Sequence, residues 1–270
     1  MRRISRRLGT SVRNAPWALP AHIKPEIVLP AKVSRCDLHW PLPGQLRVRR
    51  IISRSRAIAT GKYPSLKLGR WIHWESKVER DGQRLVDVAP DVSYFGEQPV
   101  RIDFGCEDCI LSHVPDLLVR FFSGMAWLVE FKDDNDPELE FSQARADLLA
   151  RPLAALGFSY VLVVHSDLRR ESYLSNALWL RRHGRRPHNL ATWEKSRRLF
   201  SHSGSMTLRE FCAAGADHRE SVRSAAALIM AGNIRVDMAE PIGPETCMSW
   251  CGYRNGGGGS WLSALFEGIK

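Results

Sequence analysis

The sequence predicts an α/β protein with a restriction-endonuclease-like, mixed-sheet core followed by a small helical, winged-helix-like domain. Three observations carry that expectation. An amphipathic run, "HWESKVERDGQRLVDVA", precedes two strand-like runs, "DLLVRFF" and "AWLVEFK", separated only by "SGM". A second helical run, "DPELEFSQARADLLA", then leads into an apolar strand, "SYVLVVHSD", and helix, hairpin, helix, strand is the order of a mixed sheet with helices packed on it. Beyond Asp167 the texture changes to short helices with capping signals. The expected organisation is a basic arm over 1–60, the sheet domain over 61–167, the helical domain over 168–252 and a Gly-rich linker with a short amphipathic tail over 253–270.

Composition narrows the class. The chain has 270 residues, 44% of them apolar, enough for one large core or two ordinary ones. Lys and Arg number 39 against 29 Asp and Glu, and the net charge of +10 favours a polyanionic partner. No apolar run approaches the ~20 residues that span a bilayer, so a soluble protein with no membrane partner is expected. The N-terminal "MRRISRRLGTSVRN" lacks the apolar centre of a secretory signal and reads as a basic arm, solvated or lying on nucleic acid. Six scattered cysteines fit reduced thiols in a cytoplasm. Cys106 and Cys109 form a CxxC, but Cys247 and Cys251 are too distant and wrongly spaced to complete a zinc site with them.

In order along the chain, "RVRRIISRSRAIATGKYPSLKLGR" is the densest positive stretch, a phosphate-contacting segment or a charged surface loop. In the helical run that follows, Trp74, Val78, Leu85 and Ala89 recur at helical spacing before Pro90 ends it. Glu75 and Glu79 lie one turn apart beside that stripe, where a solvated helix edge is the ordinary role. With Ser123, Gly124 and Met125 as the hairpin loop, Asp116 faces Lys132 and Leu118 faces Glu130, so that Asp116, Glu130 and Lys132 project from one face. The next helix starts near Pro137 and is expected to stop at Pro152. Thr207 with Glu210, and Asp217 with Glu220, mark two later helix starts, and "NIRVDM" reads as a strand. This suggests a winged-helix module offering Arg219 and Arg223 to a partner, or simply a solvated basic face. The tail presents Trp261, Leu262, Leu265 and Phe266 as an exposed docking stripe.

An acid ahead of one strand, then an acid, one residue and a lysine on the next, suits metal-dependent phosphodiester hydrolysis. Carboxylates are hard ligands for Mg²⁺, and a lysine can orient a water or neutralise the scissile phosphate. Pro115-Asp116 with Glu130 and Lys132 fits the PD-(D/E)xK pattern, which has many accidental matches. The longer run from "TGKYPSLKLGRWIHWESKVERDGQRLVDVAPDVSYFGEQPVRI" through "VPDLLV" to "WLVEFK" resembles the TnsA endonuclease family of heteromeric bacterial transposases, over roughly residues 60 to 165.

That resemblance implies a bacterial, cytoplasmic, Mg²⁺-dependent DNA endonuclease, with Mn²⁺ able to substitute, that cuts the 5′ strands at transposon ends. Its implied partners are double-stranded DNA, a DDE transposase like TnsB and an AAA+ ATPase regulator like TnsC. By the same resemblance Glu79 is the helix glutamate, Asp116 the metal-binding aspartate and Lys132 the active-site lysine. Glu79, Asp116 and Glu130 would ligate the metal together with the carbonyl of Phe131, although the best-known members carry glutamine where this chain has Glu130. Lys62, Lys67, Arg70 and Gln98 are the expected DNA contacts. Glu75, Asp133 and Asp134 are expected bystanders. Two other readings fit the same residues: a restriction or repair nuclease, and a non-catalytic DNA-binding protein that bridges transposase and ATPase.

Overall fold

The computed structural model describes residues 28–49, 59–106, 109–252 and 261–267. The first 27 residues of the expected arm, the basic segment 50–58 and the Gly-rich segment 253–260 lie outside the described residues. Every described element belongs to the compact unit Ala31–Lys270.

β1 (Arg35–His39), β2 (Gly61–Pro64) and β3 (Trp71–Trp74) lead into α1 (Lys77–Val88). β4 (Val92–Glu97), β5 (Arg101–Cys106), β6 (Cys109–His113), β7 (Leu117–Phe121) and β8 (Ala126–Lys132) follow. Then come α2 (Leu139–Ala155), β9 (Ser159–Val164), α3 (His165–Leu168), α4 (Tyr173–His183) and α5 (Leu190–Ser203). β10 (Ser205–Thr207), α6 (Leu208–Ala213), α7 (His218–Met230), β11 (Ile234–Arg235), β12 (Cys247–Trp250) and α8 (Trp261–Glu267) complete the order.

The central sheet runs β4-β7-β8-β9, antiparallel except between β8 and β9. α2 is the long crossover that a parallel pair requires. β1, β5 and β6 make a second, antiparallel sheet, so the expected arm contains a strand at 35–39 that its charged surroundings concealed. In the C-terminal region the strands order as β10-β12-β11.

Local chemistry sets several boundaries away from the sequence expectation. The first helix starts at Lys77 rather than His73, because Trp71–Trp74 pairs with β2 and the Ser76 hydroxyl accepts the Glu79 N–H at 3.0 Å as a cap. The hairpin loop is 122–124 rather than 123–125: the Phe121 N–H reaches the Met125 carbonyl at 2.9 Å and Gly124 takes φ +92, a left-handed turn position. Leu117 therefore faces Val129 and Leu118 faces Leu128, which sets Asp116 across from Glu130 rather than Lys132. The shift is two residues, so the parity survives and Asp116, Glu130 and Lys132 still share a face. α2 continues through Pro152 to Ala155, since a proline in the last turn removes a single helix N–H.

Further along, Gly184 ends α4 as expected, Thr207 and Glu210 close a capping box in both directions, and Asp217 caps α7 through the Glu220 N–H at 2.7 Å. The "NIRVDM" strand is only two residues long.

One hydrophobic core runs from Val78, Leu85 and Val86 of α1, over Val119, Val129 and Phe131 of the sheet, to Leu180, Phe200 and Leu228 of the helical region. A buried polar link crosses the same boundary. Asp87 at the end of α1 accepts from Ser65 Oγ at 2.6 Å and from the Leu66 and Lys67 N–H groups, and pairs with Arg181 of α4. The C-terminal stripe is not exposed: Leu262, Leu265 and Phe266 are at most 2% accessible, with Phe266 beside Trp127 of β8 and Trp261 stacked on Tyr173. An apolar stripe at helical spacing has found its partner within the same chain.

α1 meets β8 at Gly82, where a Cβ would stand 2.1 Å from the Phe131 ring. Gly82→Ala is therefore expected to destabilise the fold by about 1–3 kcal/mol through overpacking, despite alanine's better helix propensity. Thermal denaturation checks this, and an unchanged or higher midpoint would mean that the ring yields freely.

Candidate functional site

Glu79, Asp116, Glu130, Phe131 and Lys132 come from the first turn of α1, the residue before β7 and the end of β8. Asp116 is drawn in by the backbone of its neighbour strand, as Phe131 donates its N–H to Asp116 Oδ2 at 2.8 Å. Phe131 thus enters the site through its N–H. Glu79, 2% exposed, is fixed by the cap: the Glu75 N–H donates to its Oε2 at 2.6 Å, and the buried Gln83 amide to its Oε1 at 3.0 Å. Lys132 donates to Asp136 at 3.2 Å.

Burial, then the Asp116 charge, raise the Glu79 carboxyl to about 9. Burial, then the Glu130 charge, raise Asp116 to about 7, while the Phe131 N–H and the charges of Arg49 and Lys132 oppose the rise. Neither carboxyl has an ion-pair partner among the described residues.

Glu130 is different. Arg145 of α2 donates to its Oε1 at 2.5 Å and the Tyr160 hydroxyl of β9 to its Oε2 at 2.6 Å, with His113 Nε2 3.5 Å from Oε2. Burial and the Arg145 charge hold His113 well below its usual range, so this imidazole is neutral. Among the described residues, no three Asp, Glu, His or Cys side chains converge as a cation site. The donor chemistry of Glu79 and Asp116 nevertheless suits a hard divalent cation, which would relieve a buried and a half-buried acid that repel each other. Gln83 Oε1, both amide atoms of Gln98 and Arg145 Nε are buried without a hydrogen-bond partner among the described residues, and each of these residues bonds elsewhere to a site residue.

The expected DNA contacts divide. Lys62 is exposed, its amine 5.1 Å over the Trp71 ring. The other three are engaged within the fold. Lys67 donates to the Ala89 carbonyl at 3.0 Å, and burial lowers its amine to about 8. Arg70 grips the fully buried Glu97 with bonds of 3.0 and 2.8 Å. Gln98 is 1% exposed in a left-handed conformation, its N–H on the Asp116 carbonyl at 2.8 Å, which gives it a place in the wall of the site instead of on a DNA-facing surface. Glu75 pairs with Arg49, Asp134 accepts from Ser166, and Asp133 and Asp134 are exposed as expected.

Sequence reasoning did not find Arg145, Tyr160, His113 or Gln83. Only Tyr160 had a legible signal: once β9 is parallel to β8 with Leu128 facing Tyr160, the tyrosine falls on the face of Glu130.

The two raised carboxyls bind protons more tightly when folded than when unfolded. Between the ordinary carboxylate range and pH 7 to 9 the folded state holds more protons, so their contribution to stability falls as pH rises. Asp116→Asn is expected to raise the melting temperature at pH 8 by about 2–4 °C or more, corresponding to ~1 kcal/mol, and to change it little at pH 4. Melting curves at the two pH values check the sign. No protein-family model matches the chain, and no curated protein does.

Proposed function

We propose that the chain is a Mg²⁺-dependent DNA endonuclease that hydrolyses the 5′ strands at transposon ends, acting beside a DDE transposase and an AAA+ ATPase regulator. The observation that carries this reading is the buried Glu79 beside the half-buried Asp116, two carboxyls of raised proton affinity without ion-pair partners among the described residues, at the strand that bears Lys132. Glu79 and Asp116 would hold the cation, which when bound lowers the pKa of a water and offsets charge on the phosphate. Lys132, 17% exposed and tethered by Asp136, is placed to orient that water or to neutralise the phosphate. Gln98 and Gln83 offer amide atoms for the substrate or its waters.

The C-terminal region supports a DNA-bound protein. Its order, α5-β10-α6-α7-β11-β12 with strands arranged β10-β12-β11, is compatible with a winged helix, in which α7, carrying Arg219 and Arg223, would be the helix offered to DNA. With Arg182 of α4 these arginines form a field strong enough, together with burial, to lower His183. Lys62 remains as a phosphate contact on the sheet domain. A second reading, a non-catalytic assembly protein, is favoured by one observation: both oxygens of Glu130 are already engaged.

Duplex carrying a transposon end, the partner transposase and Mg²⁺ or Mn²⁺ make the decisive assay. Asp116→Ala and Lys132→Ala are each expected to reduce 5′-strand cleavage by about a hundredfold or more while leaving the far-UV spectrum unchanged. A fully active Asp116→Ala protein would overturn the nuclease reading.

A further inference from the structure

Resting on the nuclease reading, we propose that Arg145 keeps Glu130 out of the cation's ligand set, so that Glu79 and Asp116 form the seat and Arg145 is a positioning residue that sets its affinity. Glu130 stands across the hairpin from Asp116, where the sequence pattern expects a third ligand. It is 4% exposed, and its two oxygens receive donors from two other elements, Arg145 Nη2 at 2.5 Å and the Tyr160 hydroxyl at 2.6 Å. These are short, charge-assisted bonds of the strongest class.

The guanidinium is itself held. Arg145 Nη2 also donates to Ser142 Oγ at 3.1 Å, and its plane lies over the Phe141 ring at 5.4 Å, both contacts within α2. Tyr160 is held in turn by His113 Nε2 at 2.8 Å. Turning Glu130 toward a cation near Asp116 would strip a buried arginine of its counter-ion. Such a buried pair is costly to break on one side only. A divalent ion would also meet an unpaired guanidinium beside it. The two outcomes oppose cation ligation by Glu130 in the same direction, and the pair acts as a neutral wall.

Mn²⁺ titration calorimetry on the full chain tests this with a readout independent of cleavage, using wild type, Asp116→Asn, Glu130→Gln, Arg145→Gln and the double variant Glu130→Gln/Arg145→Gln. Arg145→Gln is expected to bind Mn²⁺ at least tenfold more tightly, because it frees a carboxylate and removes a positive charge. The double variant, which removes both charges, is expected to stay within about threefold of wild type, whereas Glu130→Gln alone leaves the guanidinium unpaired beside the seat and is expected to bind more weakly. A tenfold loss in the double variant, or unchanged or weaker binding in Arg145→Gln, overturns the proposal. If Asp116→Asn abolishes binding in either case, the nuclease reading survives that failure. If no variant binds Mn²⁺, both fall. Should Arg145→Gln not fold, the double variant, in which neither charge is left unpaired, still decides, since a ligand's loss and a spectator's loss differ there.

Discussion

The contact between the Phe131 ring and the bare backbone of Gly82 positions the rest of the site. A ring that reaches within 2.1 Å of a hypothetical Cβ leaves α1 one distance from β8, and a side chain at that point would push the helix off the sheet. Glu79 sits three residues, nearly one turn, before Gly82, so its height above the strand ends follows from this contact. The same residue, Phe131, turns its N–H to Asp116 and so locks the start of β7 to the end of β8. One residue thus sets two of the three acids, through its ring on one side and its backbone on the other.

The distribution of counter-ions shows why those two acids stand apart. Buried carboxylates in this protein are generally neutralised: Asp81 by Arg80 and Arg84, Asp87 by Arg181, Glu97 by Arg70 and Arg47, Glu130 by Arg145 and Asp167 by Arg170. Burying a charge without a partner costs several kcal/mol, so these pairs are what the fold requires. Among the described residues Glu79 and Asp116 break the rule, and both respond with raised proton affinity. A fold that pairs its other buried acids and leaves Glu79 beside the half-buried Asp116 has kept a local instability, the usual mark of a site shaped for a ligand.

The legible part of the sequence was its periodicity. The hairpin, the helix–strand crossover and the capped helices of the C-terminal region follow from alternation, apolar spacing and Thr207, Asp217 and Gly184 as punctuation. What escaped was set by partners distant in sequence. The strand β1 pairs across 62 positions or more, as His39 with Arg101, and its residues show no periodicity of their own. The "SKVE" of α1 is a cap signal, and it also explains how Glu79 is held, yet the aromatic run before it mimicked an earlier helix turn. Arg70 looks like a DNA contact because the buried Glu97 that claims it is 27 residues away. For Glu130 the pattern identified the carboxylate but not the arginine on α2 that holds it, since a motif read along one strand carries nothing about the helix that crosses over it.

The same long-range contacts limit how far the two regions can be treated as modules. Asp87 at the end of α1 relies on Arg181 of α4 for its charge, and Trp127 at the start of β8 packs on Phe266 of the last helix. Cutting the chain after Asp167 would leave Asp87 buried without its cation and would uncover the apolar stripe of β8 on which α8 rests. A loss of metal or DNA binding in such a fragment would then report unfolding rather than function. Roles are separable here only by changing side chains that face outward, such as Arg219 and Lys62, against those that face the acid pair. Of the C-terminal helices, α8 packs on β8 through Phe266 and α4 pairs with α1 through Arg181, so a cut before them disturbs both elements that carry the candidate acids.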